Sequence, residues 1–257
     1  MVKLSVNINK IATLRNSRGG NLPDVKKVAH DCLLFGAQGI TVHPRPDERH
    51  IRRQDVYDIK DMISKFNLET SEADYREFNI EGFPSENFLQ LIEDVAPDQA
   101  TLVPDPPEVL TSNAGWDVNQ HLDFLTQVTR RIRLAGIRCS LFVDPLDLDE
   151  ASLEALKLVH PDRAELYTEK LAASFSTNTQ EEVFSLYRKA AQNIDRLGIG
   201  LNAGHDLNLK NIGMLRKEIP ILKEVSIGHA LFCEALYLGL KETIAQYLQI
   251  LRGENKL

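Results

Sequence analysis

The chain has 257 residues, of which 43% are hydrophobic and 26% charged, a composition ordinary for one compact domain. Its formal net charge is −7. A nucleic-acid-binding or anionic-membrane-binding surface needs an excess of Lys and Arg on one face. We therefore expect no nucleic-acid partner and no membrane partner, and any bound anion must be met by a local site.

The sequence contains no targeting or membrane signal. No stretch is apolar over the roughly 18 residues that a membrane span needs, and the first residues lead into a strand-like segment without a signal-peptide core. We expect a cytoplasmic protein. Cys32, Cys139 and Cys233 are scattered, with no CxxC spacing, and are interpreted as buried hydrophobic residues in a reducing compartment, without disulfides or a thiolate metal site.

Short apolar or β-branched runs alternate with helical-period segments along the whole chain. The predicted strands are 3–9, 39–43, 67–70, 99–103, 137–143, 163–166, 198–202 and 224–227. The predicted helices are 24–35, 55–66, 87–95, 120–134, 150–159, 181–197 and 233–251. This order predicts an α/β fold, a (β/α)8 TIM barrel in which residues 1–257 form a single domain. A doubly wound open sheet is the alternative, but it favours a Gly-rich loop after the first strand, and 7–10 contains no glycine.

Two segments have the composition of mobile loops. The first is 13–23, with Gly19 and Gly20, and the second is 104–115, with three prolines and then Thr-Ser-Asn-Ala-Gly. The second follows the fourth strand, on the face where barrel enzymes place their active sites. A lid that excludes water and an ordered surface loop both fit 104–115, and we predict an active-site lid.

Polar residues end nearly every predicted strand. Because the carboxyl ends of barrel strands meet at one mouth, these side chains should converge there. Singly, each is more commonly a structural residue. Together they favour a ligand site, because burying so many polar groups costs free energy. They are Asn7, Asn9, His43, Arg45, His50, Glu69, Glu165, Asn202, His205, Gly228 and His229.

Two anion sites are predicted at the mouth. Segments 202–205 and 226–230 end the last two strands, where barrels often bind phosphate with loop amides and a helix N-terminus, although Gly204 and Gly228 could also serve only as tight turns. A second anion could be met by a basic cluster, because the guanidinium group suits phosphate oxygens. This cluster comprises His43, Arg45, Arg49 and His50, with Arg18 reaching in from the first loop.

The remaining mouth residues can move protons. His43, Glu69 and His205 are acid or base candidates, and Glu165 could orient or stabilise a cation. Two phosphate grips and several proton carriers suggest a condensation of two substrates with dehydration.

Two rival functions stay open. A metal-dependent barrel hydrolase would use His43, Glu69, Glu165 and His205 as ligands, although strand one supplies no imidazole pair; a non-catalytic phosphosugar-binding protein would need only the phosphate grips.

The chain resembles the pyridoxine 5'-phosphate synthase family over essentially its full length. The resemblance is carried by VNINKIATLRN (6–16) with Arg18-Gly19, GITVHPR (39–45) with RHI (49–51), NLE (67–69), LVP (102–104), SLFVD (140–144), NAGH (202–205) and IGHA (227–230). It implies a barrel with additional helices and a homo-oligomer of the octamer-of-dimers type. It also implies an enzyme that uses no cofactor and no metal and joins 3-amino-2-oxopropyl phosphate to 1-deoxy-D-xylulose 5-phosphate, giving pyridoxine 5'-phosphate, inorganic phosphate and water.

The resemblance also implies a role for each site residue. His43 and Glu69 would be bases, His205 an acid, and Glu165 a stabiliser of charged intermediates. The aminoketone phosphate would be held by Asn7, Arg18, Gly228 and His229. The deoxyxylulose phosphate would be held by Asn9, Lys10, Arg45, His50 and Thr111.

The sequence departs from the family pattern at three places. Asn9-Lys10 replaces Asp-His, and Tyr167-Thr168-Glu169 replaces His-Thr-Gly after Glu165. Asp206 follows His205 where the family usually has glycine, and by its position it counts among the substrate-binding residues. Because a carboxylate repels phosphate, we expect Asp206 to turn outward and cap the next helix.

Overall fold

Eight parallel strands form a closed barrel in chain order, β1-β2-β3-β4-β5-β6-β7-β8, in the computed structural model of the protein, which describes residues 1–104 and 114–254. The predicted (β/α)8 barrel is confirmed. The strands are β1 (Lys3–Asn7), β2 (Gly39–Val42), β3 (Glu77–Gly82), β4 (Gln99–Leu102), β5 (Arg138–Val143), β6 (Arg163–Tyr167), β7 (Gly200–Gly204) and β8 (Leu222–Ile227).

Helices surround the barrel, and several connections carry more than one. Among the described residues they are α1 (Asn9–Asn16), α2 (Val25–Leu34), α3 (Arg53–Leu68), α4 (Glu86–Val95), α5 (Leu122–Leu134), α6 (Glu150–Val159), α7 (Glu169–Ser174), α8 (Gln180–Arg196), α9 (Ile212–Glu218), α10 (His229–Leu238) and α11 (Leu240–Arg252). The additional helices that the resemblance implied are therefore present. Within the described part of the chain, no helix is both long and apolar enough to cross a membrane.

Local signals explain where several helices begin and end. Asp24, Ser85 and Asp149 each accept a hydrogen bond from a backbone N–H in the first turn of the helix that follows, at 3.0, 3.3 and 2.8 Å. The predicted helix 233–251 is interrupted at Gly239, whose φ of +81° lies in the left-handed region that glycine tolerates best. Two helices, α10 and α11, therefore stand where the periodicity predicted one.

The third strand was predicted at the wrong place. Segment 67–70 is not a strand: Leu68 ends α3, a short 3-10 turn follows at Glu72–Asp74, and β3 is Glu77–Gly82. The sequence of β3 alternates polar and apolar residues in the same way as β1, and Thr41 of β2 pairs with Asn79. This alternation, rather than the short NLE tripeptide, carries the strand signal.

Two further expectations are corrected. The predicted mobile loop 13–23 is in part helical, because α1 runs to Asn16. Cys32 and Cys139 are buried as expected, but Cys233 is exposed on α10.

The interior of the barrel is polar. Ser5, Thr41, Asn79 and Thr101 form a chain of side-chain hydrogen bonds across four neighbouring strands, with lengths of 2.7, 3.3 and 3.0 Å. The intervening strand residues belong to one large apolar cluster that packs between the sheet and the helices. Many barrels fill this space with branched apolar side chains instead. We call the polar interior the lumen; it leads up to the mouth formed by the carboxyl ends of the strands.

Candidate active site

Most of the predicted site residues lie at the mouth. His43 follows β2, Glu165 lies within β6, His205 follows β7 and Gly228 follows β8. Because all strands of the closed barrel are parallel, these positions are at the same end of the molecule. The expected convergence of the strand ends is therefore confirmed for these four positions.

Glu69 is not at the mouth. It is the exposed residue that ends α3, and α3 runs back from the mouth toward the start of β3, so Glu69 lies at the opposite end of the barrel. Glu81, near the carboxyl end of β3, takes the place that was assigned to Glu69. The tripeptide Asn79-Ile80-Glu81 repeats the pattern of Asn67-Leu68-Glu69, and the polar-apolar alternation around it could have distinguished the two.

Glu81 lies beside Asn7 and His43 at the mouth. Its Oε2 accepts a hydrogen bond from the side-chain amide of Asn7 at 3.1 Å and lies 3.9 Å from Nδ1 of His43. The Asn7 amide oxygen in turn accepts the backbone N–H of Asn9 at 3.1 Å, and the Asn9 side chain accepts the backbone N–H of His43 at 2.9 Å. This chain of contacts ties β1 to β2 and fixes the relative positions of the carboxylate and the imidazole.

His43 is 8% exposed and surrounded by positive charge. Burial, followed by the charges of Arg45, His50 and Arg49, lowers the pKa of His43 well below its ordinary range. The ring is therefore neutral near pH 7 and has a lone pair that can take a proton.

Glu165 has the opposite perturbation. It is 3% exposed, and its Oε2 has no hydrogen-bond partner among the described residues. Burial, followed by the charges of Glu81 and Glu224, raises the pKa of Glu165 well above its ordinary range. The shift favours the uncharged carboxylic acid, which can donate a hydrogen bond or a proton.

Gly204 makes room for Glu165. A Cβ at position 204 would lie 2.5 Å from Oε1 of Glu165 and 3.0 Å from the carbonyl oxygen of Ser226. Glycine is thus required at the end of β7, because Glu165 of β6 occupies the space that a side chain would need. This packing constraint adds to the role in phosphate binding that the sequence suggested.

Four members of the predicted basic cluster lie together beside these groups: His43, Arg45, Arg49 and His50, whereas Arg18 is exposed and no contact between described residues links it to them. Arg45 is 5% exposed, and its positive charge acts on both His43 and His50. Burial, followed by the charges of Arg45, Lys10 and Arg49, lowers the pKa of His50 to about 4, although Asp47 opposes the shift. The concentration of positive charge around these neutral rings favours the binding of an anion such as phosphate.

The tautomer of His50 follows from its backbone contact. Its Nδ1 accepts the backbone N–H of Ile51 at 2.9 Å, so the ring proton must reside on Nε2. His50 is therefore an uncharged hydrogen-bond donor through Nε2.

A buried ion pair that the sequence reasoning did not use holds this loop. Arg15 is 1% exposed and binds both carboxylate oxygens of Asp55, at 2.6 and 2.8 Å, and the carbonyl oxygen of His50 at 3.1 Å. Asn16 donates to the same carbonyl at 2.8 Å. Arg15 shares the buried face of α1 with Ala12. A charged residue on the apolar face of a helix is unusual, and this position could have indicated a buried ion pair from the sequence.

The predicted grip for the other phosphate lies at the N-terminus of α10. Gly228 immediately precedes this helix, and no side chain caps the helix there. A Cβ on Gly228 would lie 2.8 Å from the carbonyl oxygen of Asn7, so this glycine lets β1 and β8 approach closely. His229 and Arg18 are exposed. Thr111, and all but the ends of the predicted lid 104–115, lie outside the described residues.

Asp206 does not cap a helix, contrary to expectation. Its Oδ2 lies 2.7 Å from Nδ1 of His205, while α9 begins at Ile212 and is preceded by Asn211. The His205 ring also meets the edge of the Tyr167 ring, with centroids 5.5 Å apart. The expectation overlooked the neighbouring imidazole, which gives the carboxylate a hydrogen-bond partner.

The rival metal site is not assembled as predicted. Its proposed ligand Glu69 is at the other end of the barrel, and over residues 1–104 and 114–254 no three His, Cys, Asp or Glu side chains are grouped as metal ligands.

Comparison with solved structures shows the fold alone. Thiamine phosphate pyrophosphorylase from Pyrococcus furiosus superposes with a TM-score of 0.62 at 12% identity, covering 98% of this chain and 96% of that one. Phosphoribosyl anthranilate isomerase from Thermotoga maritima superposes with a TM-score of 0.59 at 14% identity, covering 98% and 100%.

Sequence relatives are much closer. The pyridoxine 5'-phosphate synthase of Cytophaga hutchinsonii is 54% identical over 252 residues, which cover 98% of this chain and 100% of the relative. The synthase of Porphyromonas gingivalis is 55% identical over 247 residues, covering 96% and 98%. The sequence model of the pyridoxal phosphate biosynthesis protein PdxJ matches residues 4–253. The chain therefore belongs to the PdxJ family of pyridoxal phosphate biosynthesis proteins.

Proposed function

We propose that the protein is a pyridoxine 5'-phosphate synthase that condenses 3-amino-2-oxopropyl phosphate with 1-deoxy-D-xylulose 5-phosphate to give pyridoxine 5'-phosphate, inorganic phosphate and water. The observation that carries the proposal is the relationship to named synthases over nearly the whole length of both chains. The mouth supports it, because it combines an imidazole whose pKa is lowered, a carboxyl group whose pKa is raised and a basic cluster.

The two substrates would be held by separate anion grips. The deoxyxylulose phosphate fits the basic cluster, where Arg45 and Lys10 supply charge and His50 supplies an uncharged Nε2–H donor. The aminoketone phosphate fits the uncapped N-terminus of α10 at Gly228 and His229. Asn9 and Asn7 lie between the two grips, at the end of β1.

The reaction consists of proton transfers and dehydrations. The amine adds to the ketone and loses water to form a Schiff base; removal of a neighbouring proton gives an enamine, whose electrons expel the adjacent sugar hydroxyl as water, and the resulting enol then expels the sugar phosphate. Water then adds, and an aldol-type closure with loss of water forms the ring. The phosphate of the product is that of the aminoketone, because the sugar carbon that loses its phosphate becomes a hydroxymethyl group.

The perturbed groups suit these steps. His43 is neutral and can accept a proton, and Glu81 is close enough to share the work of a base. The raised pKa of Glu165 favours its protonated form, which can donate to a departing oxygen or stabilise a developing charge. His205 would act as a second acid from the end of β7. His43 and Glu165 are buried, and positioned proton donors and acceptors act most strongly where water is excluded.

A direct assay tests the proposal. Purified protein is given each substrate singly and then both, with phosphate release and pyridine absorbance recorded together. Release and a new chromophore only with both substrates are expected. Folded protein that is silent under every condition would overturn the proposal, and binding of deoxyxylulose phosphate without turnover would point to a phosphosugar-binding protein.

We also propose a cytoplasmic homo-oligomer of the octamer-of-dimers type. Leu236 and Tyr237 on α10 are 81% and 92% exposed, and large apolar side chains that adjoin at the surface favour a protein interface. Light scattering of the purified chain, with Tyr237→Ser as the comparison variant, measures the assembly. A monomer at micromolar concentration would contradict this proposal.

A further inference from the structure

The turn that carries His205 is held in an unusual backbone conformation. His205 has a φ of +83°, in the left-handed region that non-glycine residues seldom adopt. The hydroxyl of Thr168, which is fully buried, accepts the backbone N–H of Asp206 at 3.3 Å and donates to the carbonyl oxygen of Gly204. Hydrogen bonds from Thr168, which directly follows β6, therefore hold the bend in place on both sides of His205.

This bend brings two adjacent side chains together. Neighbouring side chains in a strand point to opposite faces, but the turn after β7 places Oδ2 of Asp206 2.7 Å from Nδ1 of His205. Both side chains are accessible from the mouth, with exposures of 29% for His205 and 36% for Asp206. The imidazole is also held from the side by the edge of the Tyr167 ring.

We propose that Asp206 is a positioning residue for His205: its carboxylate accepts Nδ1–H, directs Nε2 toward the substrate and stabilises the protonated ring that delivers the proton. Asp206 acts through the imidazole and does not touch the reacting atoms. The proposal rests on the proposed synthase function, in which His205 is the acid. It also explains how a carboxylate is tolerated beside a phosphate grip, since its charge is offset by the imidazolium.

Other charged groups lie near the pair, and a test must distinguish their effect on His205 from that of Asp206. Glu169 accepts a hydrogen bond from the hydroxyl of Tyr167 at 3.0 Å, and Asp144 lies 3.9 Å from Nζ of Lys170. Burial, followed by Glu169, Asp206 and Asp144, raises the pKa of Tyr167, so all three carboxylates act on this corner of the mouth. Tyr187 donates to the carbonyl oxygen of Tyr167 and is a further titratable neighbour. Asp206 is the carboxylate that contacts the His205 ring directly, through the 2.7 Å contact between Oδ2 and Nδ1.

Three variants of the full chain test the role. Asp206→Asn keeps an oxygen that can accept Nδ1–H but removes the charge, Asp206→Ala removes both, and Glu169→Gln removes a nearby charge that does not contact the ring. Single-turnover rates of ring formation and KM for both substrates are measured from pH 6 to 9. We expect a loss of about 10-fold for Asp206→Asn and about 100-fold for Asp206→Ala, each with KM within about twofold.

The pH profile distinguishes positioning from a purely structural role. In Asp206→Asn the alkaline limb, which reports loss of the proton from the acid, should move down by about one pH unit. Glu169→Gln should move it much less. An unmoved limb in Asp206→Asn, or a rise in KM alone, would overturn the proposal.

A second measurement does not depend on synthase activity. ¹⁵N NMR of labelled histidines, with the His205 signal assigned by its loss in His205→Gln, follows protonation of the ring directly. The midpoint should fall in Asp206→Asn even if the protein makes no pyridine ring; an unchanged midpoint would refute the pairing, whereas inactivity of the wild type with a shifted midpoint would refute only the synthase.

Discussion

Nδ1 of His43 lies 3.9 Å from Oε2 of Glu81, and this pair occupies the place where the sequence had suggested Glu69. Since Glu81 faces the mouth and Glu69 is exposed at the far end of the barrel, the two glutamates form a natural matched pair for mutation. Glu81→Gln keeps the shape and removes a base.

We expect Glu81→Gln to fold normally and to lose about 100-fold to 10,000-fold of its turnover, because general bases contribute by that order. Glu69→Gln should retain nearly the activity of the wild type. Phosphate release with both substrates measures turnover, and circular dichroism checks the fold. Equal loss in the two variants, or none in Glu81→Gln, would show that Glu81 is not a base.

His50 should remain uncharged throughout the neutral range. Its folded pKa is about 4 because the ring is buried among cations, whereas an unfolded histidine titrates near 6.5. The unfolded chain therefore binds more protons between these values, so the contribution of His50 to stability is present above about pH 6.5 and is lost as the pH falls toward 4. ¹⁵N NMR, with His50→Gln for assignment, should show a neutral ring at pH 6 with its proton on Nε2. An imidazolium at pH 6 would contradict the model of an uncharged donor.

Glu224 should make stability fall as the pH rises. Burial, followed by the charge of Glu77, raises its pKa to about 7, against 4.5 in an unfolded chain, although Arg138, Lys3 and Arg163 oppose the shift. The folded protein thus holds a proton that the unfolded chain releases between these pH values, which favours unfolding as the pH increases through the window. In Glu224→Gln the loss of unfolding free energy between pH 5 and 8 should be smaller, by up to roughly 3 kcal/mol. Urea unfolding at the two pH values measures it; an identical pH dependence in both proteins would contradict the assignment.

The Arg15–Asp55 pair should be important for both stability and substrate affinity. Arg15→Met leaves Asp55 largely buried without its partner, which costs about 3 to 5 kcal/mol, and it releases the carbonyl of His50. Arg131→Met is the control, because Arg131 makes comparable contacts with Glu86 and Glu93 on the surface, where ion pairs contribute little. Thermal unfolding and KM for the deoxyxylulose phosphate are the measurements. Similar unfolding temperatures for the two variants would show that the buried pair is not structurally important.

The sequence was sufficient to predict the barrel because seven of the strands have clear apolar runs at regular spacing. The third strand was misplaced because Asn67-Leu68-Glu69 and Asn79-Ile80-Glu81 share one short pattern, and only the alternation over 77–81 shows which is extended. The contact between Asp206 and His205 could not be predicted, because it depends on a left-handed residue that is not glycine. The buried environment of Glu165 likewise depends on charges from β3 and β8, which are distant in the chain.

The polar lumen separates the residues that pack the apolar core from the residues that set hydrogen bonding and ionisation beneath the mouth. The apolar packing lies almost entirely in the shell between the strands and the helices, where loss of a methyl group leaves a cavity. Along the axis, substitutions instead change hydrogen bonds and ionisation, as in the chain from Ser5 to Thr101. Evolution, or a protein engineer, can therefore adjust the proton affinities beneath the mouth with little effect on the shell that keeps the barrel closed.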